Sequence, residues 1–151
     1  MTGMIQRIPQ RTNNDCAICT VAMVMGSPYT YEDILCDSKR YPHSTEDGKF
    51  LAWWETYFHD KGFQIAYRPL SDLSALSTFS ESTCGIVGMD IPKLNLAHFV
   101  AVDAWGIVDP ADNAPDHVAI SEYIRTRQRD GCIFHNEFLE VRACPKVLAV
   151  Q

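Results

Sequence analysis

Residues 9–26 read PQRTNNDCAICTVAMVMG and include a nearly apolar run from Ala17 to Met25. Residues 12–15 are Thr, Asn, Asn and Asp, residue types that often precede the first turn of a helix. Residues 16–25 are apolar on nearly every side, and the glycine that follows them is typical of a helix end. A helix that is apolar all round is a buried one. The sequence therefore predicts a helix from Cys16 to Met25 that passes through the centre of the domain.

The composition is that of an ordinary globular protein. The chain has 151 residues, of which 46% are hydrophobic and 21% charged, which is enough for one domain with its own core. The net charge of -6 argues against a nucleic-acid partner, because such proteins usually carry a basic stripe. The arginine-rich run at 125–129 is interpreted as the solvated face of a helix.

The sequence also indicates the environment of the protein. No apolar run is long enough to span a bilayer, and the N-terminal residues have no apolar segment typical of a secretory signal. We therefore expect no membrane partner and a cytoplasmic location. The six cysteines are then expected to be reduced thiols rather than a disulfide framework.

The remaining pattern places helices first and mostly antiparallel strands after them, so the predicted class is α+β. Further helices are predicted at Tyr31–Asp37, Thr45–Lys61, Ser71–Phe79 and Ser121–Arg129, the last capped by Ser121. Strands are predicted at Phe63–Arg68, Cys84–Ile91, His98–Asp103 and Gly106–Pro110, with two more between Cys132 and Val150.

The segment 98–110, HFVAVDAWGIVDP, is predicted to bring an imidazole and a carboxylate together. A tight turn at Ala104-Trp105 places Val100 opposite Asp109 in a hairpin. Because alternate residues share one face of a sheet, His98 and Asp109 then lie on the same face as diagonal neighbours, about 5–8 Å apart. A shift of the register by one residue would separate them.

Cys16, His98 and Asp109 have complementary chemistry. The dipole and free N–H groups of a helix N-terminus stabilise a thiolate, which is the nucleophilic form of Cys16. His98 would hold that thiolate as an ion pair and later protonate the leaving group, while Asp109 would fix the imidazole through its other nitrogen. The backbone N–H of Cys16 and the side chain of Gln10 are the predicted donors to the oxyanion.

The stretch from Gln10 to Cys16 resembles the Gln…Asp/Glu-Cys signature of papain-like cysteine peptidases. Within them it is most similar to the C39-type peptidases, which process bacteriocin leaders. That family has a Gln six positions before the nucleophile, a strand that begins with the catalytic His, and an Asp-Pro after the hairpin. Gln10, His98 and Asp109-Pro110 match these three motifs.

The resemblance covers about residues 5 to 128 in layout. It implies a papain-like α+β fold, in which the buried Cys helix packs on an antiparallel sheet within a single domain, residues 1–151. It also implies hydrolysis of a peptide or isopeptide bond in a peptide or protein substrate, with no metal or organic cofactor. Residues 129–151 have no counterpart in the family, and we interpret them as an added hairpin that covers a sheet edge or builds a partner surface.

Three alternatives stay open at this point. Cys16 and Cys19 form a C-x-x-C pair at a helix start, as in thiol-redox proteins of the thioredoxin type. A zinc site would need two further ligands, for instance Cys36 and His43. A papain-like fold can also serve as a catalytically inert binding module.

Overall fold

Helix α1 (Cys16–Met25) is the central element of the fold, as predicted. The structure is a computed structural model, and it describes residues 4–12, 15–41, 44–46, 49–51, 53–73, 83–111 and 114–143. Every residue of α1 except Ala17 is buried. Gly26, with φ of 70°, ends the helix and donates its N–H to the carbonyl of Ala22. Each large apolar side chain buried along α1 contributes about 1.5–3 kcal/mol by leaving water.

The described residues contain three further α-helices, α2 (Tyr31–Ser38), α3 (Trp53–Asp60) and α4 (Ile120–Arg129). Helix α2 begins with a capping box, in which the side chains of Thr30 and Asp33 each accept a hydrogen bond from the other's backbone N–H. Within the described ranges, no helix combines the length and the apolar character needed to cross a membrane.

The start of α4 differs from the prediction. Ala119 is its N-cap, so the prediction that Ser121 caps this helix is wrong. Two backbone hydrogen bonds hold Val118 to Ile107, and the carbonyl of Ala119 accepts the first helical bond, from the N–H of Tyr123. The helix therefore begins directly after the residue that pairs with Ile107.

The predicted helix Thr45–Lys61 is also wrong in its first half. Residues 44–46 and 49–51 form two short antiparallel strands, β1 (Ser44–Glu46) and β2 (Lys49–Leu51), and of the described residues in the predicted helix only those of α3 are helical. The sequence Asp47-Gly48 between the strands favours a hairpin, and a glycine disfavours a helix interior. The aromatic residues of α3 are core residues as predicted, since Trp53, Trp54, Tyr57 and Phe58 are all buried.

The main sheet contains the strands β3 (Phe63–Pro69), β4 (Thr83–Ile91), β5 (Leu96–Asp103), β6 (Gly106–Val108), β7 (Ile133–Phe134) and β8 (Glu137–Ala143). The strand order is β3-β8-β4-β5-β6, β7 pairs with β4, and every pairing is antiparallel. The α+β class with an antiparallel sheet is therefore confirmed.

Strand β8 corrects the interpretation of residues 129–151 as an edge cover. It lies between β3 and β4 and pairs with both of them. Its apolar residues Phe138, Leu139 and Val141 are buried on both faces of the sheet, as expected for a central strand. The predicted strand residues beyond Ala143 lie outside the described residues. Residues 74–79 of the predicted helix Ser71–Phe79 also lie outside the described residues. The part that is described, residues 71–73, belongs to a 3-10 turn.

The sheet separates two hydrophobic cores, and β5 contributes to both. Phe99 and Ala101 pack with α1, whereas Val100 and Val102 pack in the core that contains Tyr123 of α4. Alternation along β5 thus places His98 on the α4 face of the sheet.

Gly106 provides a test of this packing. It has φ of +138°, and a side chain there would meet the carbonyl of Val118. Gly131 also has a positive φ, of +93°, but a Cβ there would have nothing within 4 Å. We expect Gly106→Ala to lower the free energy of unfolding by about 2–4 kcal/mol, because it adds a clash to the backbone cost. Gly131→Ala should cost only about 1 kcal/mol. Chemical denaturation of both variants measures this, and equal losses would contradict the close approach at Gly106.

Candidate active site

The hairpin of β5 and β6 has the predicted register. Val102 lies opposite Ile107 and Asp103 opposite Gly106. His98 and Asp109 consequently meet on the α4 face, with 2.7 Å between His98 Nε2 and Asp109 Oδ1. Both side chains are buried, so the pair is shielded from water and its electrostatic attraction is strong.

The first residue of α1 affects this pair. The thiol of Cys16 influences this pair electrostatically, because hydrogen bonding with Cys16 and the charge of Cys16 are among the causes that raise the pKa of His98. Nε2 of His98 is bound to Asp109, so Nδ1 is the ring nitrogen that is left for a second partner. Cys16 is buried, with 6% of its surface exposed, at the N-terminus of a helix whose dipole favours an anion. The predicted residues His98 and Asp109 are thus in direct contact, and Cys16 contributes to the electrostatic environment of His98.

The electrostatics of the pair favour its charged form. Burial lowers the pKa of His98, but hydrogen bonds with Asp109 and Cys16 and the charges of both groups outweigh that effect and raise the pKa to about 9. Burial raises the pKa of Asp109, yet the hydrogen bonds from His98, Tyr123 and the backbone of Ala111 outweigh it and lower the pKa to about 2. At neutral pH His98 is therefore an imidazolium beside a carboxylate.

Helix α4 supplies two further donors to Asp109 that the sequence pattern did not reveal. Oδ2 of Asp109 accepts a hydrogen bond from the hydroxyl of Tyr123 at 2.5 Å and lies 3.2 Å from Nη2 of Arg127. The interpretation of 125–129 as a solvated face is therefore wrong for Arg127, although Arg125 and Arg129 are exposed. The sequence does show that Tyr123 and Arg127 are four residues apart and so share one face of α4. It does not show that this face docks on Asp109.

An N-terminal arm, residues 4–10, fixes the backbone around Asp109. Nε of Arg7 donates to the carbonyl of Asp109 at 3.0 Å, and the same guanidinium donates to the carbonyl of Ala111. The N–H of Gln10 donates to the carbonyl of Pro110 at 2.6 Å. The arm therefore joins the segment before the nucleophile to the segment that carries the carboxylate.

Gln10 lies at the end of this arm, half-buried, and its side-chain amide donates to the carbonyl of Thr12 at 3.1 Å. The loop that follows is closed by Asp15, whose carboxylate accepts hydrogen bonds from the N–H groups of Arg11 and Thr12 and from the hydroxyl of Tyr31. Asp15 thus shapes the loop that connects Gln10 to Cys16.

The other cysteines give no support to the redox and zinc alternatives. Cys19 is fully buried, its thiol donates to the carbonyl of Pro9, and burial raises its pKa to about 12. A thiol in that state is a poor partner for disulfide exchange. Cys36 is exposed and His43 lies outside the described residues. Among the described residues, no group of three metal-ligating side chains converges.

Comparison with known proteins concerns the fold. No protein-family model and no curated protein matches the sequence. Among solved structures, the chain is similar to the peptidase domain of Streptococcus ComA, a bi-functional ABC transporter involved in a quorum sensing pathway. The TM-score is 0.62 at 16% sequence identity, and the match covers 90% of this chain and 96% of that domain. The likeness agrees with the C39-like fold that the sequence resemblance implied.

The His98–Asp109 pair predicts a specific pH response. Asp109→Asn removes the carboxylate charge, so the pKa of His98 should fall from about 9 toward or below 6.5. NMR titration of the imidazole measures this directly. Asp90→Asn is the matched control, because Asp90 pairs with His135 at a more exposed position, and it should leave His98 unchanged.

The same substitution should also affect stability in a pH-dependent way. A raised pKa in the folded state stabilises the protein below the unfolded value of 6.5, and this contribution is lost as the pH rises through about 9. Asp109→Asn should therefore destabilise the protein more at pH 6 than at pH 10. A loss of stability that is equal at both pH values would contradict the ion pair.

Proposed function

We propose that the protein is a cysteine peptidase that hydrolyses a peptide or isopeptide bond through Cys16, His98 and Asp109. The proposal is supported by the buried His98–Asp109 pair, whose carboxylate has four donors, and by Cys16, which lies at a helix N-terminus and contributes to the raised pKa of His98. The ComA likeness supports the fold, and the proposed activity rests on the site of this chain.

The reaction starts at the sulfur of Cys16. The thiolate adds to the carbonyl carbon of the substrate, and the C=O π electrons move to the oxygen, which becomes the oxyanion. When the tetrahedral intermediate collapses, the C–N bond breaks and the proton of His98 passes to the leaving nitrogen, which leaves a thioester on Cys16. Water then attacks the thioester with His98 as the base, and the carboxylic acid and the free thiol are released.

The oxyanion needs donors that are already in place. The backbone N–H of Cys16 belongs to the first turn of α1, where N–H groups have no carbonyl four residues earlier in the helix. Gln10 is the second proposed donor. Its backbone N–H binds the carbonyl of Pro110, and its side-chain amide donates to the carbonyl of Thr12.

A thiol-alkylation experiment tests the nucleophile. Cys36 is exposed and Cys16 is buried, so accessibility alone predicts faster labelling of Cys36. We expect the opposite order at pH 6 with iodoacetamide, by roughly tenfold or more, because the proposed mechanism gives Cys16 an imidazolium partner and gives Cys36 none. Mass spectrometry of the digested protein measures both rates in one sample.

His98→Ala is the companion variant for this experiment. It should lower the rate at Cys16 by at least tenfold and leave the rate at Cys36 unchanged. If Cys16 is labelled no faster than Cys36, or equally fast without His98, the chain is not a cysteine peptidase and a binding module becomes the better account.

A further inference from the structure

The Asp109 carboxylate has two cationic neighbours on opposite sides, and the proposed mechanism uses only one of them. Oδ1 faces His98 at 2.7 Å, and Oδ2 faces Nη2 of Arg127 at 3.2 Å. The Asp109 side chain is 4% exposed and that of Arg127 is 36% exposed. The guanidinium therefore stands at the border between solvent and the buried pair.

Arg127 is held in this position by its own helix. Its guanidinium lies 5.2 Å from the centre of the Tyr123 ring, and Tyr123 donates to the same Oδ2. The carbonyl of Arg127 accepts the N–H of Cys132, which fixes the end of α4 against the chain that leads into β7. Both α4 side chains thus approach Asp109 from the side away from His98.

Two cations share one carboxylate in this cluster. Asp109 carries one negative charge, and His98 and Arg127 can each carry a positive one. A carboxylate that served His98 alone would hold the imidazolium proton more firmly. A second cation at the other oxygen, Oδ2, partly neutralises the carboxylate and repels the imidazolium. Both effects lower the pKa of His98.

We propose that Arg127 is a positioning residue that shares Asp109 with His98 and so limits how firmly the imidazolium keeps its proton. The inference rests on the proposed function, since its purpose is the transfer of that proton to the leaving nitrogen. A histidine that holds its proton too firmly is a poor general acid, because efficient transfer requires a pKa near the working pH. Arg127 keeps His98 closer to that range.

Within the described part of the chain, no cation other than Arg127 is recorded at Oδ2 of Asp109. The titratable and charged groups that face it among the described residues are Cys16 on α1, Tyr123 and Arg127 on α4, Cys132 beside Arg127, and Arg7 of the arm. Arg7 contacts the carbonyls of Asp109 and Ala111 rather than the carboxylate. Substitution of Arg127 therefore isolates the effect of a cation at Oδ2.

NMR titration of the His98 imidazole tests the inference, with the signal assigned by its absence in His98→Gln. Arg127→Gln removes the charge, and we expect the titration midpoint to move upward by roughly 0.5–1 pH unit, after allowance for the partial exposure of Arg127. Arg127→Lys retains the charge and should stay within about 0.3 pH unit of the wild-type midpoint. Arg125→Gln is the matched control on the exposed face of the same helix and should leave the midpoint unchanged.

The direction of the shift separates the possible roles of Arg127. If Arg127 only oriented Asp109, its loss would weaken the His98–Asp109 hydrogen bond and move the midpoint downward, and this result would overturn the inference. A midpoint that does not move would also overturn it. The titration is independent of turnover, so a failure of the proposed function appears separately, as Cys16 alkylation that is insensitive to His98.

Discussion

Asp109 is 3% exposed, and an ionised carboxylate at that depth costs several kcal/mol unless hydrogen-bond donors surround it. Four donors do so: His98, the N–H of Ala111, Tyr123 and Arg127. They come from the β5 strand, the loop after β6 and helix α4, and the N-terminal arm binds the backbone of the same residue. The carboxylate is thus the point at which separate parts of the chain are joined. Loss of this group would remove the partner of the imidazole and would leave several donors unsatisfied in the interior.

The other half of the site depends on hydrophobic burial. Helix α1 is fixed because its apolar side chains fill the core on one face of the sheet, while His98 belongs to the opposite face. Cys16 is the first residue of α1, and it contributes to the electrostatic environment of His98. The arm and the loop closed by Asp15 hold the chain before it. The helix thus supplies both the position of the sulfur and the dipole that stabilises its anion.

The sequence was most informative where local rules decide the structure. The apolar run and Gly26 determine α1, and the tight turn at Ala104-Trp105 together with alternation determines the register that joins His98 to Asp109. Local rules could not place β8 between β3 and β4, because strand order in an antiparallel sheet depends on long-range pairing. Nor could they show that Tyr123 and Arg127 bind Asp109, since this depends on how α4 docks.

The central claim is that Cys16 forms a covalent intermediate with the help of His98. Stopped-flow mixing with a diglycine p-nitrophenyl ester, followed by acid quench and mass spectrometry, tests it most directly. We expect a burst of about one p-nitrophenol per chain and a diglycyl adduct on Cys16, with both lost in His98→Ala and neither lost in Cys36→Ser. An adduct spread over the exposed thiols, or a burst that survives in His98→Ala, would contradict it.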